Sequence, residues 1–212
     1  MDKTAADKRL TKRFAEEKSR QLIGKQDLSL KGSIDEPIVP LITTLNDCRV
    51  YYTTSSCSGR ITVLADSTVQ NVKSSAKWLF ISHDLVQSQD ILAAIQSPAD
   101  CPPFGSFKVE PFVLHVCADG LLAARQLLEV AIACGFRNSG LTVSKKQRFI
   151  VAVRNCPSLE VPIICDNRLI VSEDYIKHIT DIANEKLRQN FAKINKFYSS
   201  VKSLCDQLNS DY

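Results

Sequence analysis

Nine apolar residues near the C-terminus, Ile176, Ile179, Ala183, Leu187, Ile194, Phe197, Val201, Leu204 and Leu208, are spaced three, four or seven apart. That spacing draws one stripe down a helix. Ser172, followed by Glu173 and Asp174, makes a good N-terminus, so one long helix is expected from Ser172 onward. An apolar face of that length has to be covered. Packing on a sheet or on the N-terminal helix of the same chain is expected, in preference to a coiled-coil seam.

The rest of the chain alternates strand and helix patterns. Residues 3–23 predict a charged helix ending near Gly24. Ser33 and Glu36 form a capping-box pattern with Pro37 in the first turn, so a helix is expected to about Asn46. Strands are expected at about 49–54, 60–65 and 76–82. A helix at about 88–96 should stop before Pro98, ahead of a stiff Cys101-Pro102-Pro103 loop. Residues 107–117 read as one long strand. Asp119 opens an apolar helix over 121–134, closed by Gly135 in a C-cap position. Four strands follow at about 140–144, 148–154, 159–165 and 168–171. The expected fold class is α+β: a mixed, largely antiparallel sheet with flanking helices and a long C-terminal helix. A single domain over 1–212, with its core at about 8–205, is expected.

Composition narrows the function classes. The 44% hydrophobic and 24% charged residues suit a soluble globular protein, and no apolar run approaches a membrane span. The charged N-terminus does not read as a signal peptide, so a cytoplasmic protein is expected, with the nucleus as the other reading. Eight cysteines include no C-x-x-C pair, which argues against a zinc ribbon or a thioredoxin-like site. Cys117, Cys134 and Cys165 sit in apolar runs and read as buried free thiols. The net charge is +4, but residues 135–154 carry five basic side chains and no acid, and so do residues 186–202. Arg148, Lys186, Lys193 and Lys196 are therefore candidates for a polyanionic partner.

Three segments carry chemistry. Thr53, Thr54, Ser55, Ser56, Cys57 and Ser58 run in succession into Gly59 and Arg60. Small hydroxyls offer donors and acceptors at close range, glycine admits a ligand to the backbone, and arginine clamps carboxylate or phosphate. A serine-rich hairpin loop is the plainer reading. In the second segment, Gly135 and Gly140 enclose Phe136, Arg137, Asn138 and Ser139. It reads as a tight turn with a polar payload, and as no dinucleotide fingerprint. The third segment, 107–117, places Glu110 and His115 in an apolar strand, where unpaired polar groups are costly. Strict alternation would put Val109, Pro111, Val113, His115 and Cys117 on one face, unless Pro111 inserts a bulge. His83 is a second candidate histidine, and His178 reads as surface. Nothing in the spacing of Cys57, His83, His115 and Cys117 demands a metal, so none is expected. The first two segments are expected to lie side by side around one cleft.

Residues 27–36 (Asp27-Leu28-Ser29-Leu30-Lys31-Gly32-Ser33-Ile34-Asp35-Glu36) closely resemble the opening of the wybutosine-synthesising tRNA methyltransferase family, the third protein of that pathway. So do residues 53–60, 110–116 and 135–140, Leu159-Glu160-Val161-Pro162, Ala183-Asn184-Glu185-Lys186 and Asn195-Lys196-Phe197-Tyr198. The motifs keep their order from about residue 8 to 205. Ser58, where many relatives carry Ala, and Leu30, where Arg is frequent, are departures.

The resemblance implies a non-Rossmann enzyme that uses S-adenosylmethionine. It would methylate N4 of 7-(3-amino-3-carboxypropyl)-4-demethylwyosine at position 37 of phenylalanine tRNA, in the anticodon loop. The transfer is an in-line displacement governed by alignment, and the acceptor nitrogen must lose a proton. His115 is the first candidate base and His83 the second, with Glu110 as orienting partner. Ser55, Ser56, Cys57, Ser58, Gly59, Arg60, Arg137, Asn138, Ser139 and Gly140 are the candidates for holding cofactor or substrate. Arg60 or Arg137 would pair a carboxylate. The alternatives are a non-catalytic RNA-binding module with a polar base-reading loop, and an enzyme with Cys57 as nucleophile.

Overall fold

Residues 107–117 are two strands, and the break between them organises the molecule. It falls at Pro111 and Phe112, and the halves enter different sheets. Proline has no N–H to give a ladder, so the pairing ends there.

The computed structural model describes residues 5–23, 33–66, 77–95, 102–145 and 147–210. The chain begins with α1 (Ala5–Ile23), then a 3-10 turn (Glu36–Ile38) leading into α2 (Val39–Asp47). Next come β1 (Tyr51–Cys57), β2 (Arg60–Asp66), β3 (Lys77–Ser82) and α3 (Ser88–Ile95). β4 (Phe104–Glu110), β5 (Val113–Ala118), α4 (Leu121–Ala133), β6 (Gly140–Val143) and β7 (Phe149–Arg154) form the middle. β8 (Leu159–Cys165), β9 (Arg168–Leu169) and α5 (Glu173–Ser210) complete it. The α+β class and the long C-terminal helix are as expected. The motif residues 27–32, Pro98, Cys101 and Lys146 lie outside the described residues.

The elements divide into two compact units, one of residues 1–58, 112–156 and 192–212, the other of 59–111 and 157–191. The first unit is built on an antiparallel sheet of order β1-β5-β7-β6. One face carries the buried Leu114, Val116, Val151 and Val153. α4 packs against β5, β6 and β7, burying Ala124, Leu127 and Ala131. Tyr51 Oη donates to the Ala123 carbonyl at 2.8 Å and ties that helix to β1. α4 stops as the sequence predicts. Gly135 takes φ +96° and its N–H bonds to Ile132 O, while Phe136 N–H reaches back to Ala131 O. That pair of bonds is a Schellman cap. Phe136 is thereby turned inward, with its ring 5.4 Å from both Phe112 and Phe197.

The second unit is built on an antiparallel sheet of order β3-β2-β4-β8-β9. Ile61, Val63, Phe107, Val109 and Ile163 form its inner face, covered by Ile91 and Ile95 of α3 and by Ile176, Ile179, Ala183 and Leu187 of α5. Asn184 clamps Val86 by both backbone groups, at 3.0 and 2.8 Å. The helical stripe is thus shared: its first half fills this core, while Ile194, Phe197, Val201 and Leu204 are buried in the first unit. Ser172 Oγ caps the helix by accepting the Tyr175 N–H.

Three local expectations are corrected. The Ser33–Glu36 capping box does not form; Ser33 is exposed, and the turn starts at Asp35 without a side-chain cap. β1 and β2 are not a hairpin, since they belong to different sheets. Cys165 is half-buried, whereas Cys117 and Cys134 are buried; all three are free thiols.

Candidate functional site

The hydroxyl run is strand, not loop. In β1, Tyr52 pairs with Cys117 and Thr53 with Val116, and then the register shifts so that Ser55 faces His115 and Cys57 faces Val113. Thr54 is the extra residue of a β-bulge. Without it, simple alternation would place Thr54 and Ser56 on the face of Tyr52; the bulge brings Ser55 and Cys57 there instead. Thr54 Oγ1 donates to the His115 carbonyl at 3.2 Å, and Thr53 N–H donates to Asn46 Oδ1 at 2.8 Å. Beyond the strand, the buried Asp35 carboxylate accepts the Ser58 N–H at 2.8 Å and fixes where the run ends.

Cross-strand pairing extends the pattern. His115 faces Ala152, Ala152 faces Gly140, and Val113 faces Arg154. Directly opposed residues share a face. One row therefore reads Ser55, His115, Ala152, Gly140, and the next reads Cys57, Val113, Arg154. Ser139 Oγ accepts the Arg154 N–H at 3.1 Å, joining segment 135–140 to the same end of the sheet. Arg137 and Asn138 are exposed there. The two polar segments share that end but not one wall, because β5 and β7 lie between β1 and β6, about 14 Å in all. Gly140 merely opens β6.

His115 Nδ1 and Ser55 Oγ share a 2.8 Å hydrogen bond. Burial, and then the positive charge of Arg154, hold the ring below the ordinary histidine value. Both causes disfavour the imidazolium, so the ring is neutral at physiological pH and able to take a proton.

In the second unit, Gly59 adopts φ +99°, a conformation that favours glycine, and its carbonyl accepts the His83 Nδ1–H at 3.0 Å. Arg60 ion-pairs with Glu110, its partner across β2 and β4, and lies 4.2 Å over the Trp78 ring. The break at Pro111–Phe112 assigns Glu110 to one unit and His115 to the other. Glu110 thus serves Arg60, and Ser55 orients His115. His178 is exposed on α5.

The expected basic residues have unequal freedom. Arg148 Nε lies 2.8 Å from Glu17 Oε2, and its Nη2 donates to Tyr52 Oη at 3.1 Å. Lys193 Nζ donates to Asn155 Oδ1 at 3.2 Å. Lys196 is exposed and Lys186 half-buried. Asp35, inside the 27–36 motif, and Arg154, inside the basic stretch 135–154, are not singled out as site residues by the sequence, because their partners, Ser58 and His115, are far away in the chain.

The Methyltransferase TYW3 family matches the chain over residues 9–203, across both units. The chain belongs to this family. A tRNA wybutosine-synthesizing protein 3 homolog of Xenopus laevis is 42% identical over 186 residues, 86% of this chain and 72% of the relative. The tRNA(Phe) 7-((3-amino-3-carboxypropyl)-4-demethylwyosine(37)-N(4))-methyltransferase 1 of Pyrococcus horikoshii is 32% identical over 92% of this chain and 98% of its own length. The structure of the PH1069 protein from the same organism superposes with a TM-score of 0.81 at 32% identity, over 91% of this chain and 98% of that one. The TYW3 family membership makes this chain a tRNA methyltransferase of non-Rossmann fold, and it implies a methyl donor. Among the described residues, no helix is long and apolar enough to cross a membrane.

Proposed function

We propose that the chain transfers a methyl group from S-adenosylmethionine to N4 of 7-(3-amino-3-carboxypropyl)-4-demethylwyosine at position 37 of phenylalanine tRNA, a step of wybutosine biosynthesis carried out in the cytoplasm. The observation that carries the reading is the end-to-end likeness to the Pyrococcus horikoshii methyltransferase named for that reaction. The family match crosses both units without a break, which supports treating residues 1–212 as one methyltransferase domain.

The donor set at the open end of the first unit fits S-adenosylmethionine. Ser55 and Asn138 offer hydrogen bonds of both senses, and Arg137 offers a cation for a carboxylate. When bound, the cofactor supplies a methyl group on a sulfonium, open to direct displacement. The protein then has two tasks, alignment and proton removal. Neutral His115, oriented by Ser55, takes the proton released from the accepting nitrogen. Direct transfer needs no covalent enzyme intermediate, so Cys57 is a contact residue and not a nucleophile. The base at position 37 lies in the single-stranded anticodon loop, where extrusion is cheaper than from a duplex. Lys186 and Lys196 are the phosphate contacts of this reading; Arg148 and Lys193 already hold Glu17 and Asn155.

Incubating the protein with precursor tRNA and methyl-labelled S-adenosylmethionine tests the reading. The label should appear on the tricyclic base, as seen by nucleoside mass spectrometry. Binding of the tRNA with no transfer and no binding of S-adenosylmethionine would replace the enzyme with a non-catalytic RNA-binding module.

A further inference from the structure

We infer that Arg154 is the anchor for an α-amino carboxylate presented beside His115, an assignment that rests on the methyltransfer reading above. The sequence favoured Arg60 or Arg137 for this task. The structure commits Arg60 to Glu110 and to the Trp78 ring. Arg13 and Arg148 both lie on Glu17, Arg125 pairs with Glu129, and Arg188 pairs with Glu185. Arg154 differs from all of these. Its side chain is exposed, its backbone N–H is held by Ser139, and among the described residues no carboxylate pairs with its guanidinium.

Its place on the sheet gives that charge a purpose. Arg154 faces Val113, two residues from the Ala152 that faces His115. Arg154 and His115 are therefore diagonal neighbours on one face, about 7–8 Å apart at the backbone. The electrostatic influence of Arg154 on the His115 ring agrees with that closeness. A guanidinium fork matches a carboxylate with two parallel hydrogen bonds, which a lysine does not do. Arg154 stands at a strand end, on a rigid ladder, while Arg137 is carried by a connecting turn.

Both participants in the proposed reaction carry an α-amino carboxylate: the methionine part of the donor and the 3-amino-3-carboxypropyl arm of the base. Each has a counterpart without it. Binding of S-adenosylhomocysteine and of methylthioadenosine, and of arm-bearing and arm-lacking tRNA, is measured on wild-type protein, Arg154→Ala and Arg154→Lys. One carboxylate-bearing ligand should lose about 10- to 100-fold in affinity in Arg154→Ala while its counterpart loses none. Arg154→Lys should recover only part of the loss. A loss confined to S-adenosylhomocysteine assigns Arg154 to the donor; one confined to arm-bearing tRNA assigns it to the base. Equal weakening of both tRNAs makes Arg154 a phosphate contact and overturns the proposal, as does unchanged binding of all four ligands. These are binding measurements, so they stand whether or not the wild-type protein transfers a methyl group.

Discussion

The two ends of one sheet face in the first unit have opposite fates. At one end Tyr52 and Cys117 are opposed, and Phe14 of α1 closes over them, its ring 5.2 Å from that of Tyr52. Glu17 gathers Arg13, Arg148 and Tyr52 Oη around itself there, so the two guanidinium charges share one carboxylate. Two residues further along β5, His115 is bonded to Ser55 and has Arg154 as its diagonal neighbour on the same face, and Ser55 and Arg154 are exposed. The backbone pairing is the same at both ends. What differs is whether charge is neutralised inside the fold: at one end Arg13 and Arg148 share Glu17, and at the other no carboxylate among the described residues pairs with Arg154.

The largest expected effect breaks the closed end. Phe14→Ala removes a buried ring and should cost about 3–5 kcal/mol of stability. Denaturant unfolding reads the loss. A change below about 1 kcal/mol would mean that α1 does not cover the face as described.

At the open end the effect should move from stability to rate. His115→Ala is expected to lower kcat by about 100-fold or more, with the unfolding midpoint close to wild type. A variant that unfolds readily but turns over normally would make His115 a packing residue.

Glu17→Gln sharpens the comparison through pH. Burial pushes the Glu17 carboxyl up, but Arg13 and Arg148 outweigh it and hold the group below its ordinary value. A depressed carboxylate contributes stability above the unfolded-state value of about 4.3, and that contribution is lost as pH falls through the folded value. Acid unfolding curves of wild type should therefore fall more steeply there than those of Glu17→Gln. Superimposable curves would show that the cluster adds nothing.

Arg154→Ala should act on the pH profile of His115. Removing a nearby positive charge lifts the ring's value toward that of an ordinary histidine, so the acid limb of kcat/KM should move to higher pH. An unmoved limb would separate the two residues electrically. The smallest effect is expected from Cys57→Ser, which should stay within about threefold of wild-type methylation, because the proposed transfer needs no thiol. Complete loss in a folded, cofactor-binding variant would restore the covalent alternative.

Much of the fold was legible in the chain. The edges of α3, α4, β2, β6, β7 and β8 fall within a residue or two of where Gly, Pro and apolar periodicity put them. Those signals act over one turn or one strand. The polar segments were legible as chemistry too, but not as geometry. Ser55 and Cys57 share the face of His115 only because Thr54 bulges, and nothing in the run itself says which hydroxyl is the extra one. The Glu110–His115 partnership failed for a related reason: the strand that seemed to hold both was cut at Pro111–Phe112.

The sequence by itself determined the long C-terminal helix, the cap at Gly135 and the family, since a 3.6-residue period, a positive φ and an ordered set of motifs are all local or linear properties. Only the tertiary structure decided which charges neutralise each other. Arg60 found Glu110, Arg148 found Glu17, and Arg154 was set on the face of His115 with no acid partner among the described residues. Strand register made the choices for Arg60 and Arg154, and the docking of α1 made that for Arg148. A shift of one residue turns a side chain to the opposite face, and register is fixed by packing between segments that lie far apart in the chain.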